Sequence, residues 1–174
     1  MDILFIIQQT LSATLGVNAI IFALAAIGLN MHFGYTGLLN FGQAGFLAIG
    51  AYSVAVPVIS FGLSLWLALL IGIFNSILFA LLLGVPTLRL RADYLAIVTI
   101  AAAEIVRQIA RSATFNDSLG GSDGITGKFG KEFFDLNPFK EGLTTPILRF
   151  NGNDLWVVIT GWILVAIITF IMWI

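Results

Sequence analysis

The sequence predicts an all-α, polytopic helical membrane protein, with about five transmembrane or re-entrant helices and one long extracytoplasmic loop. Three observations predict it. Hydrophobic residues make up 59% of the chain and charged residues only 10%, against about 25% charged in a soluble domain. The apolar residues come in continuous runs, without the apolar–polar alternation of a transmembrane barrel. Polar residues collect in one long stretch, residues 112–153, between the last two apolar runs. A mean hydropathy of +1.04 leaves more apolar side chain than a water-soluble core of this size hides.

The same composition excludes several function classes. The net charge is −1, so the chain has no cationic footprint for nucleic acid. With no cysteine and a single histidine, His32, disulfides and Cys-based metal or redox sites are ruled out. No metal site and no cofactor is expected.

The first apolar run covers residues 3–29 and is interrupted by Gln8, Gln9 and Asn18, which leaves 11–29 as its spanning part. Asp2 stands where a signal peptide carries its positive charge, so an uncleaved first span is expected. A polar step at 30–34 contains His32. The second run, 35–60, is closed by Pro57 and Phe61-Gly62. The third, 63–85, is the cleanest; Pro86 ends it, and Arg89, Arg91 and Asp93 make a charged turn. The fourth, 94–111, is short and charged enough to be either spanning or re-entrant. The last is 155–174. A span needs about 20 residues, at 1.5 Å each, to cross ~30 Å of hydrocarbon. The chain stops at Trp173-Ile174 inside an apolar run, which reads as the N-terminal portion of a longer chain.

Lys and Arg in short loops orient such a protein. Arg89 and Arg91 form the short basic loop, which is expected in the cytoplasm. Counting spans from it places the N-terminus and residues 112–153 outside. Arg107 and Arg111 then lie near the outer end of the fourth run, against the rule.

Two stretches carry the candidate functional residues. The second run begins Gly34-Tyr-Thr-Gly-Leu-Leu-Asn-Phe-Gly-Gln-Ala-Gly-Phe and continues to Gly50-Ala-Tyr52. A lipid-facing anchor needs neither its five glycines nor its two amides, Asn40 and Gln43. On a helix Asn40 and Gln43, three apart, share a face, while Gly42 and Gly45 form a close-packing strip. The run is either a tightly packed helix or a broken one whose freed backbone groups line a cavity. In the fourth run Asp93, Ile97, Ile100, Glu104, Arg107, Gln108 and Arg111 recur at helical spacing on one side, with Ala and Val opposite. Glu104 is spaced to pair with Arg107 and Gln108. This face reads as a lining of a translocation path, as an internal ion pair joining helices with Arg111 snorkelling outward, or as a proton relay at Glu104.

The polar stretch contains Gly120-Gly-Ser-Asp-Gly124-Ile-Thr-Gly-Lys128. A phosphate-binding loop is excluded, because Ser122 stands where its first glycine belongs and Phe129 where Ser or Thr belongs. A turn-forming loop is expected. No nucleophile–base pair stands in a convincing context, so the chain does not read as an enzyme.

Three motifs, in order and with fitting spacing, resemble one family. They are Gly28-Leu-Asn-Met-His-Phe-Gly-Tyr-Thr-Gly-Leu-Leu-Asn-Phe-Gly-Gln-Ala-Gly-Phe, Leu88-Arg-Leu-Arg-Ala-Asp-Tyr-Leu-Ala-Ile-Val-Thr-Ile with Glu104-Ile-Val-Arg107, and Gly120-Gly-Ser-Asp-Gly124-Ile125. Together they resemble the permeases of ABC importers for branched-chain amino acids, the second and third motifs being closer to the LivM-type subunit. The resemblance implies that residues 1–174 are the N-terminal portion of a single transmembrane permease domain in the cell membrane. It implies as partners a second permease subunit, two cytoplasmic ATPase subunits that hydrolyse ATP, and an extracytoplasmic amino-acid-binding protein, in addition to membrane lipid. It also implies a cytoplasmic turn at Arg89, Arg91 and Asp93 and an external loop at Gly120, Gly121, Asp123 and Gly124. Leu119 departs from the Thr that the family often has there. Two other transport readings stand beside this one: a urea or amide importer of the same superfamily, and an independent channel or secondary transporter. The last requires a second copy of the 34–52 pattern, which the chain lacks.

Overall fold

A computed structural model describes residues 3–87, 89, 91–125, 130–145 and 149–174. Residues 126–129, part of the excluded phosphate-loop pattern, and Leu88 and Leu90 of the second motif lie outside the described residues. Among the described residues the regular structure is helical apart from one antiparallel pair of two-residue strands. It divides into two compact units, Leu29–Glu132 and Met1–Gly28 with Phe133–Ile174.

In the second of these units, α1 (Ile3–Leu15) and α2 (Val17–Asn30) are separated by Gly16. This corrects the expected first span, 11–29. The break falls inside that range, so residues 11–15 finish α1, and the apolar span runs over Val17–Thr36. Glycine is the residue at which a helix most cheaply turns aside. The carbonyl of Leu15, freed at the end of α1, accepts a hydrogen bond from Trp162 Nε1 at 2.9 Å. Trp162 belongs to α8 (Gly152–Trp173), whose Gly161 lies so close to Ile20 that a Cβ there would approach it to 2.8 Å. Small residues at such crossings let membrane helices pack by van der Waals contact.

The described residues late in the polar stretch form ordered elements. α7 (Lys131–Asp135) leads to the paired strands β1 (Leu143–Thr144) and β2 (Arg149–Phe150), with Leu143 opposite Phe150. Buried Asn137 ties this stretch to the start of α8. Its amide donates to the Gly152 carbonyl at 3.0 Å and to Asn153 Oδ1 at 3.3 Å, and accepts from Phe139 N–H at 2.7 Å. Phe133 and Phe139 flank Trp156, whose Nε1 donates to the Phe133 carbonyl at 3.1 Å. Asn137→Ala is expected to cost about 1–3 kcal/mol by orphaning these groups. Faster proteolysis across 130–145 with α8 still intact is the check; wild-type cleavage rates would refute it.

In the unit Leu29–Glu132, α3 (Gln43–Phe61), α4 (Leu65–Thr87) and α5 (Ala92–Arg111) pack together, α3 against α4 most extensively. Polar and small residues make the α3–α4 seam. Asn75 Nδ2 donates to Ser53 Oγ at 3.0 Å, Ser76 Oγ to the Gly72 carbonyl at 2.8 Å, and Phe46 meets Phe79 edge-on at 4.9 Å. The first turn of α4 is capped from far along the chain: Glu132 accepts the Leu65 N–H at 3.0 Å, an anion at the positive end of a helix dipole. Pro86 sits in the last turn of α4, so the helix ends at Thr87, two residues past the expected 85. The outer side of α4 exposes Leu70, Phe74, Leu81, Leu82 and Val85, which suits contact with lipid.

α2, extended by a π-helical turn (Met31–Thr36), together with α3, α4 and α8, is long and apolar enough to cross a membrane. α5 has the length, 20 residues, but carries charge along one side. Four of the five expected segments are thus long and apolar enough to span, and α5 falls at the fourth expected run, which the sequence leaves as spanning or re-entrant.

Candidate functional site

The glycine-rich segment is a break between helices, not one helix. This corrects the expected second run: α3 starts at Gln43, not near residue 35, because three features stop α2 and delay α3. The π turn ends at Gly37, whose φ of +65° only glycine adopts cheaply, and its N–H returns to the His32 carbonyl. Residues 37–41 are irregular. Phe33 and Phe41 then close the break, their rings edge-on at 5.5 Å.

Asn40 is buried inside this break. Its Oδ1 accepts the Gly42 N–H at 2.9 Å, which obliges Nδ2 to face His32 Nδ1 at 2.8 Å. Because Nδ2 only donates, Nδ1 of His32 must be unprotonated, with its proton on Nε2. Asn40 and Gln43 therefore do not share a helix face as their spacing suggests; Asn40 lies in the link and Gln43 opens α3.

The break is held against α5. Thr99, almost fully buried, donates Oγ1–H to the Ala96 carbonyl at 2.9 Å and accepts the Phe41 N–H at 3.1 Å. A Cβ on Gly42 would come within 2.9 Å of the Thr99 carbonyl, and one on Gly45 within 3.1 Å of Ala103 Cα. Gly42 and Gly45 thus face the same side of α5, one turn apart. Thr99→Val keeps the shape but strands the Phe41 N–H, at a cost of about 1–3 kcal/mol, while Thr99→Ser is expected to be near wild type. Equal thermal midpoints for Val and wild type in detergent would refute the bond's role.

α5 divides cleanly. Leu95, Thr99 and Ala110 are buried toward its neighbours, whereas Asp93, Ile97, Ile100, Glu104, Arg107, Gln108 and Arg111 are exposed. Glu104 holds Arg107 in a two-point ion pair, Nε at 2.7 Å and Nη2 at 2.6 Å, and also accepts from Gln108 Nε2 at 2.8 Å. Two-point pairing fixes the guanidinium plane as well as its charge.

After α5 the chain turns through a 3-10 turn (Ala113–Phe115) and α6 (Asn116–Leu119) into the Gly120 loop. Gly120 and Gly121 both have positive φ, and a Cβ on Gly120 would collide with the Gly124 carbonyl. The loop folds back over the end of α5. Between it, α5 and α3 opens a cleft of about 530 Å³. Glu104, Arg107 and Arg111 line it from α5, Ala44, Ala48 and Tyr52 from α3, and Gly121, Asp123 and Gly124 from the loop.

Of the residues singled out in the sequence, Ile100, Glu104, Arg107, Arg111, Gly121, Asp123 and Gly124 converge on this cleft. Asn40, Gly42 and Gly45 brace the helices behind it, Gln108 holds Glu104, and Gln43 and Gly120 lie outside the lining. Arg89, Arg91 and Asp93 are exposed at the opposite end of α5, roughly 27 Å from Arg111 at 1.5 Å per residue. Thr99 and Tyr52 were not among those residues. A threonine on the buried side of a membrane helix is the available signal, since such hydroxyls bond between helices.

Four helices long and apolar enough to cross a membrane, and a fifth charged on one face with a polar cleft at its end, define a multi-pass membrane protein. The family described as branched-chain amino acid transport system permease component matches residues 12–174, and the chain belongs to it. It is 41% identical over 115 residues to the high-affinity branched-chain amino acid transport system permease protein LivM of Salmonella typhimurium, covering 66% of this chain and 27% of that protein. Against LivM of Escherichia coli it is 43% identical over 106 residues, 61% of this chain and 24% of the relative. The aligned segment thus spans about a quarter of each relative's length. No solved structure matches.

Proposed function

We propose that the chain forms part of the permease of an ATP-driven importer for branched-chain or similar amino acids, within a single transmembrane permease domain. The carrying observation is the cleft: residues of all three family-like motif regions line it or brace it, and its charged groups come from the charged side of α5 and from Asp123 of the loop. In this reading the permease supplies a path. ATP binding and hydrolysis in two partner ATPases switch it between inward- and outward-open states, a second permease completes the path, and a binding protein delivers substrate on the side of the Gly120 loop. Glu104, Arg107 and the loop residues Asp123 and Gly124 line the path, Gln108 supports it, and Gly42, Gly45 and Asn40 brace it. Arg89, Arg91 and Asp93 face the cytoplasm.

The names of the two relatives favour leucine-like substrates over urea or amides. The test is ATP-dependent uptake of radiolabelled leucine into vesicles carrying the assembled transporter, with unlabelled isoleucine, valine, urea and acetamide as competitors. Inhibition by isoleucine and valine alone is expected. Inhibition by urea would transfer the chain to the amide reading, and ATP-independent uptake would overturn the importer reading.

A further inference from the structure

The cleft contains four charged side chains, two of which form an ion pair. Glu104 and Arg107 are locked together at 2.6 and 2.7 Å. Arg111 and Asp123 line the same cleft from different elements, the last turn of α5 and the Gly120 loop, and neither has an ion-pair partner among the described residues. The remaining wall is largely apolar, formed by Phe41, Ala44, Ala48, Ile100 and Ala103. A cation and an anion that form no ion pair among the described residues, with a largely apolar wall, complement a molecule with a carboxylate, an ammonium and an apolar side chain. The volume, about 530 Å³, lies within the range of small-ligand sites.

We propose that this cleft is an amino-acid subsite of the permease itself, with Arg111 taking the α-carboxylate, Asp123 the α-ammonium and the apolar wall the side chain. The proposal rests on the importer reading and names the groups that select the substrate once it has been delivered. Arg suits the carboxylate end because its planar fork matches two oxygens. Asp123 sits on a loop whose backbone is tied down, its N–H returning to the Gly120 carbonyl at 3.2 Å. The Glu104–Arg107 pair, already neutral as a unit, is left to position α5's charged face.

The test uses photo-leucine, a diazirine analogue that keeps both charges, on the assembled transporter in vesicles. Label is expected in peptides containing Ala44 to Tyr52 and Ala103 to Arg111. Leucine should compete it out, whereas 4-methylpentanoate, lacking the ammonium, and leucinamide, lacking the carboxylate, should compete at least tenfold more weakly. Arg111→Gln should remove the discrimination against leucinamide alone, and Asp123→Asn that against 4-methylpentanoate alone. A merely structural role would lower labelling by all competitors' measures equally and leave their order unchanged, and that outcome overturns the proposal. So does wild-type discrimination in both variants, or competition by phosphoethanolamine ahead of leucine, which would assign the cleft to a lipid headgroup. If the wild-type transporter takes up no leucine, the importer reading itself fails; leucine uptake without cleft labelling removes only the subsite.

Discussion

Gly45→Leu is expected to lower the thermal midpoint of the detergent-solubilised protein by roughly 5 °C or more, the consequence of overpacking worth about 1–3 kcal/mol. A Cβ at residue 45 already lies 3.1 Å from Ala103 Cα, 3.3 Å from its Cβ and 3.5 Å from Phe79 Cε1. The neighbours at 45 belong to two helices, α5 on one side and α4 on the other. Retreating from Ala103 drives α3 toward α4, where Gly72 is packed so closely that a Cβ would meet Val54 at 2.6 Å. The added side chain therefore has no direction in which to relax. Gly45→Ala should cost far less, because a displacement of a few tenths of an ångström accommodates it. Gly84 is the control: it is helical, and a Cβ there meets nothing within 4 Å, so Gly84→Leu should leave the midpoint unchanged or raised. If Gly45→Leu and Gly84→Leu behave alike, close packing at Gly45 is not what the glycine is for.

Glu104→Ala is expected to reduce leucine uptake at least tenfold. It removes both contacts to Arg107 and the one to Gln108, so a guanidinium is left unmatched on a helix face that meets either the cleft or the bilayer. An unpaired cation in a membrane helix is costly. The double variant Glu104→Ala/Arg107→Ala separates the two roles the pair can have. If the pair only holds the helix in the membrane, removing both charges restores protein level and uptake together. If it lines the path, protein level recovers and uptake stays low, which is the outcome expected here. Wild-type uptake in Glu104→Ala at wild-type protein level would eliminate both.

Much of this was legible in the chain. The continuous apolar runs, 63–85 above all, could only be membrane helices, and the charged residues of α5 fell on one side because helical spacing leaves no alternative. The Glu104–Arg107–Gln108 cluster was readable for the same reason: all three interactions are within four residues. The failures were of a different kind. The break at Gly16 and the start of α3 at Gln43 were read as parts of continuous runs, and the link at 37–41 was left open between a packed and a broken helix, because hydropathy counts apolar residues and does not register where a backbone leaves the helix. Asn40 and Gln43 were consequently placed on a common face that does not exist.

What the sequence determined by itself was local or additive: membrane residence, the helices and the polarity of each face, and membership of the permease family. What only the tertiary structure decided was convergence. Thr99 meets Phe41 N–H across 58 positions and Glu132 caps α4 across 67, and the Gly120 loop folds back to set Asp123 over a cleft that Arg111 enters from α5. The physical reason is that hydropathy and periodicity are properties of neighbouring residues. A buried N–H is satisfied by whichever group packing brings to it, and two charges share a cleft only because small residues, Gly42 and Gly45, let α3 approach α5 closely enough to form one.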